Sequence, residues 1–349
     1  MTTKVARKPG ESKGPEAYAK DYADTIVIDA LEYSMWNRER FQELRTGGVT
    51  CVHVTLVIWE DARETLSAVG EWLQLLDEHK DMVVLARSVA DIHAAKKSNR
   101  TAIIFGFQNT SPFEDEINLF AVFHQLGVRI VQLTYNIQNH IASGCWEKND
   151  TGLSTVYGRD AIREMNRVGL MIDLSHCNER TCLDTIEYSL KPVALTHANP
   201  LTYVGGGVEL AVRNKSDKVL KALTENGGVV GLSNYPRMAP NGENVTLQDF
   251  CDMMAWTVDL VGIEHVGIGT DIYIGREHRT SWFRTGRWSR APKVALRPAV
   301  KFPAWLDTPA QFPNLYAGLR NTGFNQSEVA AIMGGNWMRL FDQTFSPSA

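Results

Sequence analysis

The sequence predicts an α/β protein, a (β/α)8 TIM-type barrel with C-terminal closing helices, on three observations. Short runs of β-branched apolar residues alternate with longer amphipathic stretches, the pattern of a parallel sheet covered on both faces by helices. Eight such runs suit a closed barrel, and the first strand-to-helix turn lacks the G-x-G-x-x-G loop of an open dinucleotide-binding sheet. Polar residues also gather just past the strand runs, where a barrel places its chemistry.

In chain order, the predicted strands are 25–29, 49–56, 101–107, 129–134, 170–174, 192–196, 228–233 and 265–270. Helix-period segments lie between them at 62–79, 114–126, 158–168, 179–190, 215–225 and 247–261. Gly205-Gly206-Gly207 has no Lys-Ser/Thr after it and reads as a flexible loop rather than a phosphate cradle. Residues 275–303 are rich in Arg, Trp and Pro without periodicity, as expected of a functional loop, and 311–345 reads as two or three closing helices. Residues 1–20, with Lys4, Arg7, Lys8 and Lys13 and no apolar run behind them, read as a flexible arm and not a signal peptide. A single catalytic domain is expected over 21–345.

A net charge of -4 over 349 residues argues against nucleic acid or an anionic membrane as partner. No run of about 18 apolar residues exists to cross a bilayer. The five cysteines, Cys51, Cys145, Cys177, Cys182 and Cys251, form no C-x-x-C pair and read as reduced thiols of a cytoplasmic protein.

The residues that end the predicted strands are informative. Gln108 follows the third, Tyr135 and Asn136 the fourth, His176 the fifth, His197 the sixth and Asp271 the eighth. Two histidines and an acid on separate strand ends can converge on a metal and its water. A single buried histidine is more often a packed core residue, but His176 and His197 both repeat the strand-end placement. His79, His93 and His124 sit in or beside helices, His53 lies inside the second strand, and His265 opens the eighth at the far end of the barrel.

These residues carry a resemblance to the membrane (renal) dipeptidase family of zinc peptidases, running from about Val27 to Phe341. Its most specific parts are Gly158-Arg159, Glu164-Met165-Asn166-Arg167, Asp173-Leu174-Ser175-His176, Arg213-Asn214, Asn226-Gly227-Gly228-Val229-Val230, Val266-Gly267-Ile268-Gly269-Thr270-Asp271 and Met333-Gly334-Gly335-Asn336-Trp337. The resemblance implies that His176 and His197 are metal ligands, Asp271 is the acid after the last strand, and Arg213 receives the substrate carboxylate. Three further family positions differ. Leu31 and Tyr33 stand where a first-strand His-x-Asp pair is expected, Gln108 replaces the bridging glutamate, and Tyr135 replaces a substrate-orienting histidine.

Two zinc ions about 3.5–4 Å apart need negative charge between them. At an effective dielectric of ~20 they repel by roughly 20 kcal/mol before ligands compensate. With Asp271 alone left of three carboxylates, a two-metal site is not expected. One divalent ion, zinc first and iron or manganese as alternatives, can use His176, His197 and Gln108 and keep an open position for water. Glu32 adds an acidic ligand only if a bulge turns it inward, because strand alternation sets it opposite Leu31 and Tyr33. Tyr135 can donate to a developing oxyanion or simply pack at the mouth. Asn136 is a candidate substrate contact, and Cys177 reads as a small buried hydrophobe.

The expected function is therefore a dipeptidase-like metal-dependent hydrolase. It acts on an amide or related bond of a small carboxylate-bearing molecule, with weak or no activity on ordinary dipeptides. The alternatives are a lyase, hydratase or decarboxylase on the same scaffold, metal-free or metal-assisted, and a non-catalytic binder of small molecules. The family commonly forms dimers, and 281–290 is the segment expected at a homodimer interface.

Overall fold

The computed structural model describes residues 12–275 and 300–347. Its strands are β1 (Ile28–Glu32), β2 (Cys51–Val57), β3 (Val83–Leu85), β4 (Thr101–Phe107), β5 (Val128–Gln132), β6 (Met171–Asp173), β7 (Ala194–Leu195), β8 (Val229–Leu232) and β9 (Val266–Ile268). Eight pair in parallel in the order β1-β2-β4-β5-β6-β7-β8-β9. The seam between first and last closes through a bridge from Glu32 to Ile272, with Tyr33 N donating to Ile272 O at 2.8 Å. The predicted barrel is formed. The strand missed from the sequence, β3, is three residues long and pairs only with the first half of β4, Val83 opposite Thr101.

Alternation along the strands makes two apolar layers. Val52, Val54, Ile103, Phe105, Ile172 and Leu174 face the surrounding helices and meet Trp72, Leu76, Phe120 and Met165. Ile28, Cys51, Ile104, Ile130, Met171 and Val229 join Trp337, Leu340 and Phe341 of the last helix in a second cluster. Trp337 plugs the floor of the barrel, its indole donating to Ile268 O at 3.1 Å. A Cβ on Gly267 would lie 2.4 Å from that indole nitrogen, so glycine is what lets the plug seat.

Helix ends follow their caps. Asp61 and Glu64 form a capping box at the head of Ala62–Glu78, and Thr246 with Asp249 does so at Leu247–Val261. The closing segment is three helices, Phe312–Asn321, Gln326–Ala330 and Asn336–Thr344, the last two joined by a π turn. The expected flexible arm is helical from Pro15 onward. Tyr18 and Tyr22 pack their rings on Tyr316, and Asp21 pairs with Arg320 at 3.2 Å. The predicted interface segment 281–290 lies outside the described residues. Among the described residues, no helix is long and apolar enough to cross a membrane.

Candidate active site

His176 and His197 lie just past β6 and β7, with their Nε2 atoms facing at 3.0 Å. Hydrogen bonds place a proton on the far nitrogen of the His197 ring. Asp173, fully buried, accepts from Ser175 N (3.0 Å), Ser175 Oγ (2.6 Å), Thr196 N (3.0 Å) and Thr196 Oγ1 (2.6 Å). The Thr196 hydroxyl hydrogen is thereby committed, so its oxygen accepts from His197 Nδ1 at 2.8 Å. Asn136 Oδ1 lies 2.6 Å from His176 Nδ1 and also accepts from Cys145 Sγ. Arg213 Nε donates to the same Nδ1 at 3.1 Å, so this nitrogen is held by both a donor and an acceptor.

The two Nε2 atoms face one another in a buried site. Their separation is within a few tenths of the ~3.3 Å kept by two imidazole nitrogens on one tetrahedral zinc. Burial pushes both histidines well below their usual range, and the cations of Arg213 and Lys215 push the same way. Both rings are neutral, as ligands must be.

Arg213 sits in the turn Ala211–Arg213, buried beside this pair. Its Nε donates to His176 Nδ1 at 3.1 Å, and Nη1 reaches Ser175 O at 3.4 Å and Met238 Sδ at 3.9 Å. Among the described residues, Nη2 has no hydrogen-bond partner. A buried guanidinium so poorly satisfied is costly without an anion to meet it.

Asp271 follows β9 with φ +58, a left-handed conformation that strains a non-glycine residue and turns its carboxylate into the mouth. Its backbone N donates to Leu31 O across the seam. Burial lifts its carboxyl to about 7; Arg213 pulls it down, while Asp29 and Asp173 add to the rise. Tyr135 stacks on His176 with ring centroids 4.1 Å apart, and burial, then Asp271, hold its phenol well above the usual range, so it keeps its proton.

The other expected residues are placed differently. Asn136, read from the sequence as a substrate contact, is buried at φ +65 with its side-chain oxygen engaged by His176. Gln108 donates from Nε2 to Thr55 Oγ1 at 2.8 Å, leaving its amide oxygen as the donor it could offer a metal. The β1–β2 ladder does slip between Asp29 and Glu32, yet Glu32 bonds Ser34 and lies in the fields of Glu43 and Arg40. Among the described residues, no three His, Cys, Asp or Glu side chains come together as a metal site. Cys177 is fully buried, and burial pushes its thiol up.

Sequence reasoning missed Asp173 and Thr196 as the groups that orient His197. The signal available was alternation: Asp173 and Ser175 share the inner face of β6, and Thr196 shares it from β7. His53 was left as a strand residue. It is buried in the barrel with Nδ1 bound to Ala30 O at 2.6 Å, and a Cβ on Gly106 would lie 1.9 Å from its Nε2.

The family profile described as membrane dipeptidase, peptidase family M19, matches residues 28–280. An amidohydrolase from Pseudomonas aeruginosa is 37% identical in its crystal structure, with a TM-score of 0.87 over 95% of this chain and 99% of that one. The dipeptidase tcpJ of Claviceps purpurea is 26% identical over 80% of this chain and 59% of its own length. The dipeptidase aclJ of Aspergillus oryzae is 26% identical over 81% of this chain and 62% of its own length, so the chain spans about six-tenths of these curated relatives. Strand order, strand-end histidines and profile agree, and the chain belongs to the membrane dipeptidase family.

Proposed function

We propose that this protein is a hydrolase of the dipeptidase type that cleaves an amide or related bond in a small carboxylate-bearing molecule, with one divalent metal per chain. The observation that carries the reading is the facing pair of Nε2 atoms on His176 and His197. That donor set fits one ion, with Gln108 as an oxygen donor, and lacks the carboxylate a second ion would need. Zinc is the first choice, with iron or manganese compatible with an amide oxygen. A bound divalent ion would supply Lewis acidity and an easily deprotonated water.

The chain's own residues account for the rest. Arg213 turns its unpartnered Nη2 on the substrate carboxylate and fixes the scissile bond's position. Asp271, with its carboxyl near 7, accepts a proton from the attacking water and returns it to the leaving nitrogen. Tyr135, held protonated, donates a hydrogen bond to the developing oxyanion. Asn136 orients the His176 ring, and the Asp173–Thr196 pair keeps the His197 imidazole in one tautomer.

Neutral ligands beside two cations hold a dication loosely, so the metal should leave under mild chelation. Metal content of protein purified without chelator tests the reading directly. About one ion per chain is expected, falling to near zero in His176→Ala and His197→Ala. No bound metal in the unaltered protein would sink the proposal, and two per chain would break the charge argument. A small carboxylate-bearing substrate, a homodimer and a cytoplasmic location belong to the same reading.

A further inference from the structure

One atom of the site has two neighbours that it cannot serve together. His176 Nδ1 lies 2.6 Å from Asn136 Oδ1, which only accepts, and 3.1 Å from Arg213 Nε, which only donates. A ring nitrogen carries either a proton or a lone pair, so it satisfies one of the two at a time.

Two arrangements of the ring follow. With its proton on Nε2, His176 donates to His197 Nε2 at 3.0 Å and accepts from Arg213 at Nδ1. His197 can receive that bond, because its own proton is fixed on Nδ1 by Thr196 Oγ1. With the proton on Nδ1, His176 donates to Asn136, and its Nε2 lone pair is free to act as a ligand beside that of His197. Asn136 is itself held in place for this second arrangement. Its backbone O accepts from Trp146 N at 2.8 Å, and a Cβ on Gly144 would lie 2.3 Å from its carbonyl carbon.

The choice reaches Arg213. Nε and Nη2 form the edge of a guanidinium that grips a carboxylate through two parallel hydrogen bonds. Nη2 has no partner among the described residues, so the bond from Nε to His176 is what withholds this edge. A proton on Nδ1 turns that bond into a repulsion between two donors, and the edge is released.

We propose that His176 couples the metal to the substrate: shifting its proton from Nε2 to Nδ1 opens the ring to the metal and frees the Nε–Nη2 edge of Arg213 for the substrate carboxylate. The ring gives up one proton to solvent and takes one back, so its charge is unchanged. This rests on the reading of His176 as a ligand and of Arg213 as the carboxylate site. Metal and carboxylate then tighten each other by the same factor. An ion that neutral ligands hold loosely is retained while substrate is bound.

Two measurements test the coupling. Proton–nitrogen correlation NMR of protein labelled at the histidine nitrogens reads the ring directly, with His176 assigned by its loss in His176→Ala. After mild chelation His176 is expected to carry its proton on Nε2, and to move it to Nδ1 when one equivalent of zinc is added. His197 should keep its Nδ1 proton throughout. Calorimetry with butyrate, which has a carboxylate and no bond to cleave, reads the linkage. Zinc is expected to tighten butyrate by at least about fivefold. Most of that gain should vanish in Arg213→Lys, which keeps the charge but has no two-nitrogen edge. A proton on Nδ1 before zinc is added, or an equal gain in Arg213→Lys, would overturn the proposal. If either result comes with one bound zinc and with butyrate binding abolished in Arg213→Ala, only the coupling falls. If no zinc binds, or Arg213→Ala leaves butyrate binding unchanged, the underlying reading falls and takes the coupling with it.

Discussion

The two sides of the barrel mouth are built on opposite plans. On the β6–β7 side, Asn136, Asp173 and Thr196 orient the two histidines through buried hydrogen bonds, and Arg213 keeps one guanidinium nitrogen without a partner among the described residues. On the β1–β2 side, Leu31, Tyr33, Ile58 and Trp59 are buried as apolar and aromatic packing, while Glu32 accepts from Ser34 and Asp29 accepts from Thr270. The contrast teaches that one side of a barrel mouth can be held by buried hydrogen bonds while the other is held by apolar packing. Orientation on the first side costs buried polar groups, most of which are offset by hydrogen-bond partners.

Three substitutions would break or sharpen that contrast. The largest effect is expected of Asp271→Asn, which removes the proton acceptor and should lower kcat by about 10²–10⁴-fold. In the unaltered enzyme kcat/KM should rise with pH through about 7, because the deprotonated carboxylate is the working form. The variant's profile should lose that limb. A retained limb would assign the titration to another group.

Arg213→Ala comes next. Losing a charged hydrogen bond to a buried carboxylate costs about 1.5–3 kcal/mol, or roughly 10–150-fold. Steady-state kinetics should show the loss mainly in KM. A change confined to kcat would mean that the guanidinium serves the reacting centre and not the carboxylate.

The smallest effect tests orientation alone. Thr196→Val cuts the link from Asp173 to His197 and should weaken metal affinity by about 10–100-fold, measured by chelator competition. Thr196→Ser should restore it. Equal affinity in all three proteins would show that His197 is held by packing and that the hydroxyl relay is idle.

The fold was legible because a barrel repeats one pattern, apolar strand then amphipathic helix, and each repeat supports the others. β3 escaped because three residues, Val83-Val84-Leu85, following a long helix carry too little pattern to mark a strand. β1 was placed three residues early because its apolar run begins near Ile26, whereas its ladder begins where Ile28 meets Cys51. His176, His197, Arg213 and Asp271 were legible from strand ends and family motifs. Asp173 and Thr196 were not, since their role is a hydrogen bond between two strands and spacing along one chain does not show it. Asn136 was misplaced for a related reason: its left-handed backbone turns its amide back onto His176, a geometry that composition does not reveal.

Trp337 has a consequence for how the protein is made. The barrel begins at Ile28, but its seam waits for Ile272 and its floor for an indole at 337. At about 5–20 residues per second, synthesis leaves on the order of 15–60 s between the first strand and the plug. Until Ile272 is made β1 is an unpaired edge on one side, and until Trp337 is made the inner apolar layer lacks its base, the conditions under which nascent chains stick to one another. A message cut short before codon 337 should therefore yield a barrel with a closed seam and no floor, dependent on chaperones.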